Sequence, residues 1–165
     1  MLLILSILFP AAAGIAEYFM KMSPRSRRVF LAAAVLLTDL LVVLAAVRGG
    51  DVTVVTFSKQ VSIAFSPDGL GRIFLLAACV LYTAVLFYAF DYMKHEEDEE
   101  RFFTFYMISF GALIAVALSS NLITMYLCFE TLTLTTVPLV LHEMTKAAVD
   151  AGLKYLFYSI GGALL

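Results

Sequence analysis

The amino-acid sequence predicts an all-α polytopic membrane protein, and three observations carry that prediction. Apolar residues make up 62% of the 165, whereas soluble globular domains stay near half. The charged residues gather between long apolar runs rather than within them. A helix needs about 20 residues to cross a bilayer core. Six of the runs come close to that length.

The six runs cover residues 2–20, 29–47, 70–90, 102–119, 121–141 and 147–165. The first is followed, not preceded, by Lys21, Arg25, Arg27 and Arg28. That order fits an uncleaved membrane helix rather than a secretory signal. Between the second and third runs, Val61, Ile63 and Phe65 alternate with Ser62, Ala64 and Ser66. This period of two predicts a short β-hairpin over residues 51–66, turning at Ser58-Lys59-Gln60, with an ordered loop as the alternative. Asp68 then stands as the N-cap of the third helix. The fourth and fifth runs are separated only by Ser119, Ser120 and Asn121, which predicts a tight antiparallel pair. The sixth run reaches Leu165 without a polar flank, so a single transmembrane domain forming the N-terminal part of a longer subunit is expected.

Placing the N-terminus outside puts seven Lys and Arg residues in inner loops against three outside, counting Arg48, Lys59 and Arg72 as outer. The hairpin then lies on the outer face, and the acidic stretch from His95 to Glu100 is a solvated inner connector, with docking to a soluble partner subunit as the alternative. Multi-pass insertion in the cell (inner) membrane follows.

Ionisable residues inside the apolar runs carry the functional argument. Glu130 lies nine residues past Asn121 and eleven before Leu141, close to the bilayer midplane. A central acidic group costs roughly 2.5–3.5 kcal/mol to insert, so it needs a partner, a proton or a task. Thr131, Thr133, Thr135 and Thr136 surround it with hydroxyls, and Thr133 shares its face. Pro138 frees a backbone acceptor one turn away. Lys154 is the natural second group. The helix rise puts it about 6 Å from the level of Glu130, within reach of an extended lysine. Asp150, four residues earlier, is an alternative partner for it. Asp39, central in the second run, suits a proton path and a structural tie to a neighbouring helix equally. His142 and Glu143 end the fifth run, as a point of proton uptake or as a polar flank. Glu17 is read as a surface ion pair with Lys21.

Other chemistries find no footing in the sequence. Cys79 and Cys128 sit singly in apolar runs and read as small hydrophobes. The only histidines, His95 and His142, both fall in loops, so neither a metal site nor a bis-histidine haem is expected. Gly69-Leu70-Gly71 lacks the third glycine of a dinucleotide fingerprint. No cofactor is expected in the chain, and no basic stripe suggests nucleic acid.

The segment Asn121-Leu122-Ile123-Thr124-Met125-Tyr126-Leu127-Cys128-Phe129-Glu130 resembles the fifth helix of the antiporter-like membrane subunits. These occur in NADH:quinone oxidoreductase (complex I), in Mrp-type sodium/proton antiporters and in membrane-bound hydrogenases. Pro138-Leu139-Val140-Leu141-His142-Glu143, Ala151-Gly152-Leu153-Lys154-Tyr155-Leu156 and Phe65-Ser66-Pro67-Asp68-Gly69-Leu70 are similar to further family segments. The resemblance implies a proton-translocating subunit without a redox centre of its own, working beside other membrane subunits on protons and, in antiporters, sodium. It implies that Glu130 is the proton-modulating glutamate, that Lys154 is the sixth-helix lysine, and that a seventh-helix lysine beyond Leu165 is the main partner of Glu130. The competing reading is a helical scaffold or assembly subunit whose polar residues only join helices.

Overall fold

A computed structural model describes residues 1–20, 22–58, 61–96 and 98–163. Lys21, Lys59, Gln60, Glu97 and the last two residues lie outside the described residues, and with them the turn expected at Ser58-Lys59-Gln60. Six long helices and one hairpin form in the order α1 (Leu2–Met20), α2 (Pro24–Arg48), β1 (Val52–Ser58), β2 (Val61–Phe65), α3 (Gly69–Tyr92), α4 (Glu99–Ala117), α5 (Leu122–Val140) and α6 (Lys146–Ala163). The first five helices are long and apolar enough to cross a membrane. The sixth forms as a helix, but Lys146, Asp150 and Lys154 set it apart from those five.

Local chemistry explains the boundaries. Helix α2 starts at Pro24 rather than near Val29. Ser23 caps it by accepting from the Ser26 amide at 3.4 Å, and proline suits the first helical position. The arginines expected in a loop therefore ride on the first turns of α2. Asp68 caps α3 as expected, accepting from the Gly71 amide at 2.6 Å. Asn121 caps α5 by accepting from the Thr124 amide at 2.8 Å. Helix α4 begins at Glu99, with Glu99 and Glu100 in the first turn, where the helix dipole favours negative charge.

The hairpin predicted over residues 51–66 is present. Its strands β1 and β2 pair antiparallel, with irregularities at Thr53/Val55 and Thr56/Ser58. It is seated on the α4–α5 turn. Ser66 donates its amide to the Leu118 carbonyl at 2.7 Å, and Ser120 donates to Ala64 at 3.0 Å. The Asn121 side chain donates to the Ser62 carbonyl at 3.0 Å.

Helix α4 is the hub of the bundle. Phe103, Met107, Phe110, Ile114 and Leu118 are fully buried along it. Its closest neighbour is α1, and glycine permits the approach. A β-carbon on Gly111 would lie 2.5 Å from the Ile7 carbonyl oxygen, and one on Gly14 would lie 2.9 Å from that of Thr104. Small residues at such crossings are how membrane helices gain packing without a hydrophobic drive. On the other side of α4 lies α5, and α6 packs on α5. The hairpin and the α4–α5 turn share one end of the bundle; the α1–α2, α3–α4 and α5–α6 connections share the opposite end.

Candidate functional site

Polar groups collect in two places: along the middle of the helices, and at the end opposite the hairpin.

In the middle of α5, Glu130 is half-buried, and its Oε1 is buried without a hydrogen-bond partner among the described residues. Thr133, one turn on, is 2% exposed and shares a hydrogen bond of 3.0 Å with Ser159 of α6. Thr136 meets the Tyr155 hydroxyl at 2.9 Å. These two contacts set the α5/α6 register. They bring Glu130 level with Gly161 and Gly162, where an added β-carbon would meet nothing within 4 Å. The same register puts Lys154 level with Val137, seven residues from Glu130, or about 10 Å along the axis. The separation of about 6 Å expected from loop positions and helix rise is thus too short. Lys154 is exposed, and no ion pair joins it to Glu130 or to Asp150 among the described residues.

Asp39 accepts a hydrogen bond of 2.7 Å from Thr83, joining α2 to α3, and the Cys79 thiol lies beside the same carboxylate. Cys79 is free and buried in the hydrophobic core, as its setting in an apolar run predicts. The Asp39 Oδ1 is buried and, among the described residues, without a hydrogen-bond partner. His142 lies in the α5–α6 turn. Its ring meets Phe102 edge-on at 5.6 Å, and its carbonyl accepts from Arg101 at 2.7 Å. His142 and Glu143 line a cavity of ≈ 290 Å³ with Glu96 and Tyr92. Glu130, Thr133 and α6 are thus one neighbourhood, while Asp39 and His142 are separate from it. Among the described residues no group of three His, Cys, Asp or Glu is arranged to hold a metal.

The second cluster was not read from the sequence. Glu17 is not a surface residue: its side chain is 0% exposed. Arg27 of α2, 5% exposed, sits between three carboxylates. Its Nε lies 2.5 Å from Glu17 Oε1, a charge contact without hydrogen-bond alignment. Its Nη1 donates to Glu99 at 3.0 Å, and its Nη2 donates to Glu100. Thr104 of α4 reaches Glu17 Oε2 at 3.4 Å. A cavity of ≈ 580 Å³ is lined by Arg27, Glu99 and Glu100, with Tyr18, Asp98 and Arg101. One signal was legible: Glu17 lies within an apolar run, three residues before its end. The identity of its partner was not, because Glu99 and Glu100 are 72 and 73 residues from Arg27.

Comparison with known proteins gives these features a context. Residues 53–103 match the family model described as NADH-Ubiquinone oxidoreductase (complex I), chain 5 N-terminus. The putative antiporter subunit mnhA2 of Staphylococcus haemolyticus is 28% identical over 109 residues, covering 64% of this chain and 14% of that protein. The Na(+)/H(+) antiporter subunit A1 of Staphylococcus aureus is 28% identical over 98 residues, covering 59% of this chain and 12% of that protein. The matched segment thus spans a small part of the length of these relatives.

Proposed function

We propose that this chain forms part of a proton-translocating, antiporter-like subunit of a multisubunit membrane complex, a reading supported by its similarity to the complex I chain 5 N-terminus over residues 53–103 and to the antiporter subunits. It is a multi-pass cell-membrane protein. The proposed orientation places the N-terminus outside. Arg25, Arg28, Lys94, Arg101 and Lys146 at one end of the bundle, against Arg48 and Arg72 at the other, support it.

The observation that carries the proposal is the state of Glu130. A carboxyl group sits mid-helix with one oxygen buried and unpartnered among the described residues, level with the space beside Gly161 and Gly162. Hydroxyls from Thr133 and Ser159 lie one turn away. A carboxylate needing a proton or a cation in such a place can take up and release a proton as the charge beside it changes. Lys154 serves in this reading as a second charge on α6, acting over distance rather than as a bonded partner. Asp39 and His142 are further candidates for the path. Protons move by exchange along hydroxyls and water, and the drive comes from sodium exchange or from redox chemistry in other subunits. The chain itself needs no cofactor for these steps.

One observation favours the scaffold reading: Asp39 is hydrogen-bonded across to Thr83 and holds two helices together. Substituting Glu130 separates the two readings. In the assembled complex reconstituted into vesicles, Glu130→Gln should slow proton flux, read by an internal pH-sensitive dye, by about tenfold or more. Wild-type flux from a correctly assembled Glu130→Gln complex leaves only the scaffold.

A further inference from the structure

The cavity of ≈ 290 Å³ at the end opposite the hairpin has a make-up that proton transfer does not call for. Its floor is apolar. Met93 is buried there, and Leu139 and Phe102 pack against the core. The Phe102 ring is stacked on Tyr106 at 6.1 Å, with 14° between the planes. Tyr92, at the end of α3, brings a second ring, stacked on Tyr88 at 6.0 Å. Two exposed carboxylates, Glu96 and Glu143, line the same space. Arg101 fixes the wall by donating to the His142 carbonyl at 2.7 Å, which ties the α5–α6 turn to α4.

Neither Glu96 nor Glu143 has an ion pair among the described residues. The cations of this end are engaged elsewhere. Lys94 pairs with Asp91, Arg101 with Asp98 at 3.5 Å, and Arg27 with Glu17, Glu99 and Glu100. Lys146, three residues past Glu143, makes no ion pair among the described residues. His142 also lines the cavity, and its Nδ1 is buried without a hydrogen-bond partner among the described residues. The space thus carries two uncompensated negative charges over an aromatic floor. An anionic headgroup is repelled by the carboxylates. A hard metal ion needs about six to eight oxygens and gains nothing from the rings. A side chain with an apolar stem and a cationic head uses both features. Arginine fits better than lysine. Its planar guanidinium stacks on aromatic faces, and its five donors can serve both carboxylates together. With the imidazole hydrogen on Nε2, His142 Nδ1 adds a third acceptor. Small-molecule pockets run about 300–1,000 Å³, so this smaller space suits one side chain rather than a cofactor.

We infer that the cavity receives an arginine side chain from a partner subunit, its guanidinium paired with Glu96 and Glu143 and its stem laid over Phe102 and Tyr92. The inference rests on the reading of this chain as part of a multisubunit complex, and names the chemistry by which one neighbour is recognised. The proposed orientation puts the cavity at the inner end, so the arginine comes from an inner-face segment. Glu96, within the acidic connector, thereby gains a task that solvation alone does not give it.

The test places a photoreactive group in the cavity, as Tyr92→p-benzoylphenylalanine, in the assembled complex in native membranes. Cross-linked peptides are then sequenced by mass spectrometry. The expected adduct joins this chain to one defined segment of another subunit, within a few residues of an arginine. Glu96→Lys combined with Glu143→Lys should lower its yield by about tenfold. Changing that arginine to glutamate in the same background should restore it. If the lysine pair does not assemble, Glu96→Gln combined with Glu143→Gln decides, with the yield again expected to fall. No adduct, an adduct to lipid or to this chain alone, or one to a segment without arginine overturns the docking site. A yield indifferent to both charge changes does the same. Any of these results, with flux lost in Glu130→Gln, leaves the transport reading standing. A chain that purifies with no other subunit overturns the multisubunit reading, and the site with it.

Discussion

Removing the guanidinium of Arg27 is the most exacting test of the packing at the end of α1. Arg27→Met preserves the length and the apolar stem of the side chain while deleting its charge. Glu17 then stays 0% exposed with only the Thr104 hydroxyl at 3.4 Å. The four groups carry one positive and three negative charges; without Arg27 all that remain are negative. Glu100, with 41% of its side chain exposed, can turn to water at little cost. Glu99, at 16%, can partly do so. Exposed charges of this kind are screened and contribute little. Glu17 cannot turn to water and can shed its charge only by taking a proton. Breaking a buried pair from one side costs about 3–5 kcal/mol, most of it the stranded charge. Unfolding by sodium dodecyl sulfate in mixed micelles, followed by far-ultraviolet circular dichroism, measures this directly. Adding Glu17→Gln to Arg27→Met removes the stranded charge and should return about 1–3 kcal/mol, a coupling that a double-mutant cycle isolates. If Arg27→Met costs less than about 1 kcal/mol, Glu17 is not held as a buried anion by Arg27.

Two other consequences follow from packing. Gly111→Ala drives a methyl group to 2.5 Å from the Ile7 carbonyl oxygen. It should cost about 1–3 kcal/mol in the same unfolding assay, with α1 and α4 forced apart; an unchanged midpoint would show that these helices do not meet there. Asn121→Ala removes both the α5 cap and the amide that holds the hairpin at Ser62. That should cost about 1–2 kcal/mol and raise amide hydrogen exchange in β2; unchanged protection of β2 would mean that the hairpin is held by backbone contacts alone.

The legible parts of the fold were those set by short-range chemistry. The Asp68 cap, the tight α4–α5 turn and the alternating strand at Val61–Phe65 each depend on residues within a few positions of one another. The central position of Glu130 was equally legible, since it needs only a count along one helix. The partner of Glu17 was not. The nearest cation in sequence, Lys21, was the natural choice. Arg27 became the partner because Pro24 starts α2 early and the α1–α4 crossing brings Glu99 and Glu100 to the same point. The separation of Glu130 from Lys154 also escaped the sequence, because the register of α5 on α6 is set by the Thr133–Ser159 and Thr136–Tyr155 contacts rather than by where the turn falls.

The sequence by itself determined that this is a helical membrane protein and that a carboxyl group sits deep in its fifth helix. Hydrophobic length and the cost of a buried charge act on each helix separately, so both can be read one helix at a time. Tertiary structure decided which charges meet. It buried Glu17 against Arg27, set Glu130 level with Gly161 and Gly162, and brought the tyrosines of α3 and α4 together. Those outcomes depend on how glycines let the helices approach and on the register in which their side chains interlock, and neither is encoded in any one segment.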